Sequence, residues 1–229
     1  MRNSLPEARE VLILAPHPDD EALGCGGTIT LLNKRGVSST VIFLTDGEKL
    51  CGDSSTDIAK IRRAEAQKAS GMLGCRKALF LGFPDGEVNH RREKIYRSLY
   101  EIVEKKKPDI IFSPSPCDFH NDHIATADIA MELLKSPGSF KLAFYEIYAT
   151  LRFTHLIDIA ESAENKRQVI LNYRASLYER PELYVSASLG LNAQRSIFTE
   201  KSGYYEAFWI IEKPLGEQEI MEWLTYRQG

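Results

Sequence analysis

The chain has 229 residues, of which 43% are hydrophobic and 27% charged, and its formal net charge is -3. That length and composition bury a sizeable core, as one domain or a domain with an elaboration, and the slight acidity gives no general attraction to nucleic acid or anionic membranes. The polar opening MRNSLPEARE and the short apolar run after it fit neither a secretion signal nor a membrane span, so no integral membrane segment and a cytoplasmic location are expected.

The first predicted strand covers 11–15, and Pro16 and Pro18 stop it from continuing as strand or helix. On the enforced turn stand His17, Asp19, Asp20 and Glu21, ahead of a predicted helix over 22–35 whose Leu23, Ile29, Leu31 and Leu32 supply its buried side. A plain reading makes the acids first-turn partners of the helix dipole. Three adjacent carboxylates repel one another, however, unless a cation or substantial pKa shifts offset the repulsion. His17 and Asp20, three residues apart across a tight turn, can face one point and are candidate metal ligands. A tetrahedral catalytic zinc would take a third protein ligand from elsewhere.

Residues 39–45 read as the second strand and 57–73 as the second helix. Between them the polar loop 48–57 is long, and it suits either a cover over a substrate or an ordinary solvated loop. A strand over 78–81 follows, then a helix over 93–106 whose closing Lys105, Lys106 and Lys107 suit its negative end, a strand over 109–113 and a helix over 124–134. The stretch DIIFSPSPCDFHNDH repeats the logic of the first turn: a strand-like run, Pro114 and Pro116, then Asp118, His120, Asp122 and His123. It is the best source of a third ligand. Further on, 141–150 reads as a fifth strand, 162–178 as a helix, and YYEAFWII, within 200–213, as a late strand. Its Tyr204, Tyr205, Phe208 and Trp209 are read as core.

This alternation predicts a Rossmann-like three-layer α/β fold with a mainly parallel sheet of order 3-2-1-4-5, flanked by helices on both faces. Residues 1–135 would form the metal-binding core and 136–229 a C-terminal α/β elaboration of a single domain. In that order strands one and four are neighbours, which brings the two acid–histidine turns together.

Cys25, Cys51, Cys75 and Cys117 lie far apart without a Cys-x-x-Cys pair, against both structural zinc and a disulfide framework. Cys117 is better read as a buried free thiol than as a nucleophile or soft ligand. His90 reads as a surface residue and His155 as structural. A dinucleotide site is the strongest rival at the first turn, because Gly24-x-Gly26-Gly27 follows a strand and Asp46 lies about twenty residues on. Ile29 occupies the third glycine position, though, and the acids would repel a pyrophosphate. A phosphoesterase holding Mg²⁺ or Mn²⁺ would favour oxygen donors over two histidines. A non-catalytic nucleotide- or sugar-binding module is the third class.

The segment Pro16-His17-Pro18-Asp19-Asp20-Glu21, together with Asp118-Phe119-His120-Asn121-Asp122-His123, resembles the PIG-L/LmbE-like family of zinc-dependent N-deacetylases. Arg62-Arg63-Ala64-Glu65, Ser70 to Gly74 and Leu81 to Gly86 are similar to family signatures in the same order, so the likeness spans most of residues 10–130. Asn121 stands where proline is common in the family, which leaves the ligands and their spacing intact. The resemblance implies that His17, Asp20 and His123 hold zinc, or Fe²⁺ or another divalent ion. It implies Asp19 as general base, His120 as oxyanion stabiliser or acid, and Arg62, with Arg63 as the alternative, as a substrate contact; the chemistry of the second turn adds Asp122 as a carboxylate orienting a histidine. The implied reaction removes an N-acetyl or related N-acyl group from a small amino-sugar conjugate. A homo-oligomer is left open.

Overall fold

The computed structural model describes residues 4, 7–49, 56–136, 138–212 and 225. Most of the 48–57 loop, Cys51 included, lies outside them, as does the end of the 200–213 segment. One seven-stranded sheet runs through the described residues: β1 (Glu10–Ala15), β2 (Ser38–Thr45), β3 (Lys77–Phe83), β4 (Ile110–Pro114), β5 (Lys141–Tyr145), β6 (His155–Asp158) and β7 (Tyr205–Ile211), in the order β3-β2-β1-β4-β5-β7-β6. The first five strands are parallel, and β7 is antiparallel to both β5 and β6. The predicted order 3-2-1-4-5 is therefore present, extended at one edge by two strands.

The period-2 alternation of β1 sorts its side chains onto two cores. Val11, Ile13 and Ala15 pack with buried residues of α1 (Asp20–Lys34), α2 (Thr56–Met72), α5 (Ala163–Asn172) and α6 (Pro181–Arg195). Leu12 and Leu14 pack on the other face with those of α3 (Arg92–Lys106) and α4 (Asn121–Lys135). Apolar burial on both faces is what forces near-continuous hydrophobic strands in the parallel part of the sheet.

The C-terminal region departs from the sequence reading. The strand expected over 141–150 ends at Tyr145, because Glu146 turns inward to bond the Leu151 amide at 2.8 Å and to pair with Arg195. The helix expected over 162–178 stops at Asn172. Tyr173 leaves helical backbone (ψ 73°) and its hydroxyl donates to Glu21 at 2.5 Å. Neither α6 nor the four-residue β6 was anticipated: α6 buries only Pro181, Val185, Asn192 and Arg195, so it carries little apolar periodicity. Of the aromatic group, Tyr205, Phe208 and Trp209 are buried as expected, while Tyr204 is exposed.

Helix α1 is broken at Cys25, where φ is -142° and ψ is 20°. The glycines around the break serve packing. A Cβ on Gly24 would lie 2.1 Å from the Tyr145 ring, and one on Gly27 would lie 2.8 Å from Ile159. This close approach, and not phosphate cradling, accounts for Gly24 and Gly27 of the dinucleotide-like pattern.

Candidate metal centre and active site

β1 and β4 end side by side, and the turns that follow them meet at the carboxyl edge of the sheet, at the switch point where open α/β sheets bind ligands. The first turn is pinned by the Pro16 carbonyl, which accepts from the Thr45 amide (3.0 Å) and hydroxyl (2.9 Å) at the end of β2. Asp20, buried at the start of α1, lies between two imidazoles. One carboxylate oxygen is 3.3 Å from His17 Nδ1 and accepts from the His17 amide at 2.8 Å. The other is 3.2 Å from His123 Nε2.

Each imidazole is backed by further carboxylates on its far nitrogen. His17 Nε2 faces Asp85 at 3.1 Å and Asp122 at 3.2 Å, and His123 Nδ1 faces Asp118 at 3.2 Å. Asp122 is itself fixed by the amides of Gly86 (2.8 Å) and Val88 (3.2 Å), and Asp118 by the amides of His120 (3.0 Å) and Tyr148 (3.2 Å). Carboxylates in this position set the tautomer and orientation of metal-binding histidines. Asp122 was expected to orient a histidine. Asp85 and Asp118 were visible in their motifs but had no assigned role; Asp85 sits in the Pro84-Asp85-Gly86 turn after β3, whose reach to His17 is a tertiary fact.

Burial opposes charge on His17 and His123, but the carboxylates more than offset it. His17 is raised well above its ordinary value by Asp122, Asp20 and Asp85, and His123 is raised to about 9 by Asp20 and Asp118. Asp20 is driven far down, against its own burial, by His123 and His17. A divalent ion would take over the role of those protons, and the donors suit one. The buried Nε2 of His123 lacks a hydrogen bond even though an Asp20 oxygen stands 3.2 Å away. Such a separation without hydrogen-bond alignment is what two ligands of one tetrahedral ion show, roughly 3.3 Å apart for metal bonds of about 2.0–2.1 Å. His17, His120 and His123 also present nitrogens within 4.8 Å of one another, and so do His17, Asp85 and Asp122 present ligand atoms.

Asp19 occupies the cap position of α1 without capping it. Its φ of 123° is strained for a residue with a side chain, and its carboxylate accepts no bond from the helix amides. It meets Arg62 instead, at 3.3 Å, and Arg62 also binds the Pro18 (2.9 Å) and Gly47 (2.8 Å) carbonyls. Burial raises the Asp19 carboxyl well above the usual range, with Arg62 opposing. Arg63 points elsewhere, stacking on Phe80 at 4.4 Å and lying 3.7 Å from Asp46. His120 caps α4, and burial, His17 and His123 lower its pKa. A cavity of about 290 Å³ opens onto His17, Asp19, Arg62, His120 and His123. Cys117 belongs to no candidate metal group among the described residues.

Fold and cluster define a class: a Rossmann-like α/β protein with a buried His/Asp cluster of metal-ligand type at its switch point. A family model described as "PIG-L: GlcNAc-PI de-N-acetylase" matches residues 12–134, and the chain belongs to this family of metal-dependent N-deacetylases. It is 26% identical over 193 residues to the diacetylchitobiose deacetylase of Thermococcus kodakarensis, covering 76% of this chain and 72% of that one. Identity reaches 30% over 148 residues with a probable N-acetyl-alpha-D-glucosaminyl L-malate deacetylase 2 of Bacillus anthracis, covering 61% and 66%. The structure of N,N'-diacetylchitobiose deacetylase from Pyrococcus horikoshii, complexed with its inhibitor MPG, superposes with a TM-score of 0.76 at 28% identity, covering 90% of this chain and 84% of that one. No helix among the described residues is long and apolar enough to cross a membrane.

Proposed function

We propose that the chain hydrolyses the N-acetyl group of a small N-acetylglucosaminyl conjugate, with zinc as the resident ion held by His17 Nδ1, Asp20 and His123 Nε2. The observation that carries the roles is Asp19. It is a buried carboxylate in a strained backbone conformation, spared from helix capping and from ligand duty, beside the ligand Asp20 and open to the cavity. A bound divalent ion supplies Lewis acidity at such a site, lowering the pKa of water and polarising an amide oxygen. Two imidazoles and one carboxylate are a zinc-type donor set, and Fe²⁺ accepts the same ligands.

Asp19 accepts the proton of the attacking water, and its raised pKa brings it towards the range where a general base works best. Arg62 keeps its carboxylate oriented. His120 has a defined tautomer: its Nδ1 accepts from the Asp122 amide at 3.2 Å, so the ring proton is on Nε2. With its pKa lowered, His120 is a neutral N–H donor to the oxygen that becomes negative as water adds to the amide carbon. Oxyanion stabilisation therefore fits His120 better than proton donation does. Asp85, Asp118 and Asp122 hold the two ligand imidazoles from behind.

The test pairs metal content with acetate release from N-acetylglucosaminyl conjugates. Asp19→Asn should retain about one ion per chain and lose roughly 10²–10⁴ in kcat, whereas His123→Ala should lose both ion and turnover. Full ion retention in His123→Ala would remove the coordination proposed here.

A further inference from the structure

The cavity has room for little more than one sugar ring with its acyl group, since it sits at the small end of ligand sites. Whatever is attached to that ring extends towards the exposed part of the lining, which includes three tyrosines from three separate segments, Tyr148 among them stacked on His123 at 5.7 Å. Tyr148 follows β5, Tyr178 lies between α5 and α6, and Tyr184 is on α6. Tyr148 and Tyr178 are 48% and 46% exposed, and none of the three hydroxyls meets a hydrogen-bond partner among the described residues.

Tyr178 is also held in an unfavourable conformation. It and Glu179 are consecutive left-handed residues, with φ of 53° and 56°, which a bulky side chain adopts only under constraint. The half-exposed ring does not offset that strain by burial, and glycine or asparagine would make the same turn more easily. The constraint comes from Glu65 on α2, whose carboxylate accepts from the Ala175 amide (2.8 Å), the Ser176 amide (3.1 Å) and the Ser176 hydroxyl (2.8 Å). An Arg174–Glu179 ion pair closes the turn. Arg62, one helical turn before Glu65, holds Asp19. One helix thus carries both the support for the base and the support for the rim.

We propose that Tyr178, flanked by Tyr184 and Tyr148, is the platform for a second, uncharged pyranose ring attached to the N-acetylated sugar, and that Glu65 is the positioning residue that holds it. The apolar C–H face of a pyranose packs on a rigid aromatic ring, and its hydroxyls reach the free phenols. This rests on the deacetylase reading. The experiment uses the metal-loaded full chain with two probes, N-acetylglucosamine and N,N'-diacetylchitobiose, and adds calorimetric binding of the disaccharide. Tyr178→Asn keeps a residue that tolerates the turn and removes the ring.

It should lower the preference for the disaccharide over the monosaccharide about tenfold, through KM and not kcat. Glu65→Gln should move the same ratio in the same direction by a smaller factor, without shifting the pH profile of kcat. Equal losses on both sugars, or no change in the ratio, would overturn the platform. Lys49 also lines the cavity, so a preference for an N-acetylglucosaminyl carboxylate that Lys49→Met abolishes and Tyr178→Asn leaves intact would likewise overturn the platform and assign this face to an anionic aglycone. If the wild type releases acetate from neither sugar, neither is its substrate, and calorimetry still decides the platform: disaccharide binding should weaken about tenfold in Tyr178→Asn, and equal binding sinks it.

Discussion

The first half of α1 has a buried charge cluster at each end, and the two are built on opposite terms. At its start, Asp20 stands between His17 and His123, and polar atoms remain unmatched: Nε2 of His123 and one oxygen of Glu21. At the break near Cys25, Lys166 and Glu206 form a fully buried ion pair at 2.7 Å, and each of the two charged groups has further backbone partners. Glu206 accepts from the amides of Gly27 (2.9 Å) and Thr28 (2.7 Å), capping the second half of the helix, and Lys166 donates to the Leu23 carbonyl (2.9 Å) that ends the first half. A buried charge cluster that is complete is architecture. One left incomplete, opening on a cavity, is a place for a ligand.

The contrast is sharpest in its response to pH. An ion must displace the protons that the carboxylates draw onto His17 and His123, so its affinity should fall about tenfold per pH unit for each imidazole that has to be deprotonated. With His123 raised to about 9, that imidazole alone should cost about 10² in a titration against a chelator from pH 8 to 6, and the raised His17 should deepen the loss. The metal-free protein should behave oppositely. The stability contributed by these raised imidazoles is fully present below about pH 6.5, the unfolded value, and is lost as pH rises through the folded ones. Affinity that does not change with pH would mean that these imidazoles are not ligands.

The complete pair should instead respond to the loss of one member. Lys166→Met strands the Glu206 carboxylate and should cost about 3–5 kcal/mol in denaturant unfolding, with the Lys166→Met/Glu206→Gln pair losing less than the sum of the single changes. Additive losses would mean that the two charges support the break independently. The smallest effect is expected at Cys117, a half-buried thiol pushed up in pKa by burial: Cys117→Ser should leave metal content unchanged and stability within about 0.5 kcal/mol. Loss of metal in that variant would extend the proposed coordination beyond His17, Asp20 and His123.

Where the sequence was read well, the signals were local. The prolines around His17 and before His120, the buried run of β1 and the alternation of strands and helices are short-range patterns, and they led to the switch point and both histidine turns. The C-terminal region was read less well because its structure is set by distant partners. α5 stops where Tyr173 reaches Glu21 and the Glu65 carboxylate takes the Ala175 and Ser176 amides, 110 to 152 residues apart in sequence for these contacts. The chain beyond residue 135 then contributes β5, β7 and β6 to the same sheet, of which β6 is too short to carry a period of its own.

By itself the sequence determined the order of the five parallel strands, the two turns that carry the histidines, and a carboxylate-rich site at the edge where they meet. The reason is that proline stops, apolar alternation and adjacent like charges act within a few residues of the chain. Only the tertiary structure decided which oxygens stand behind which imidazole nitrogens, that Arg62 and not Arg63 holds Asp19, and that Glu65 and the Lys166–Glu206 pair support the rim and the helix break. Those choices depend on distances of about 3 Å between segments that are far apart in sequence, and no local pattern encodes them.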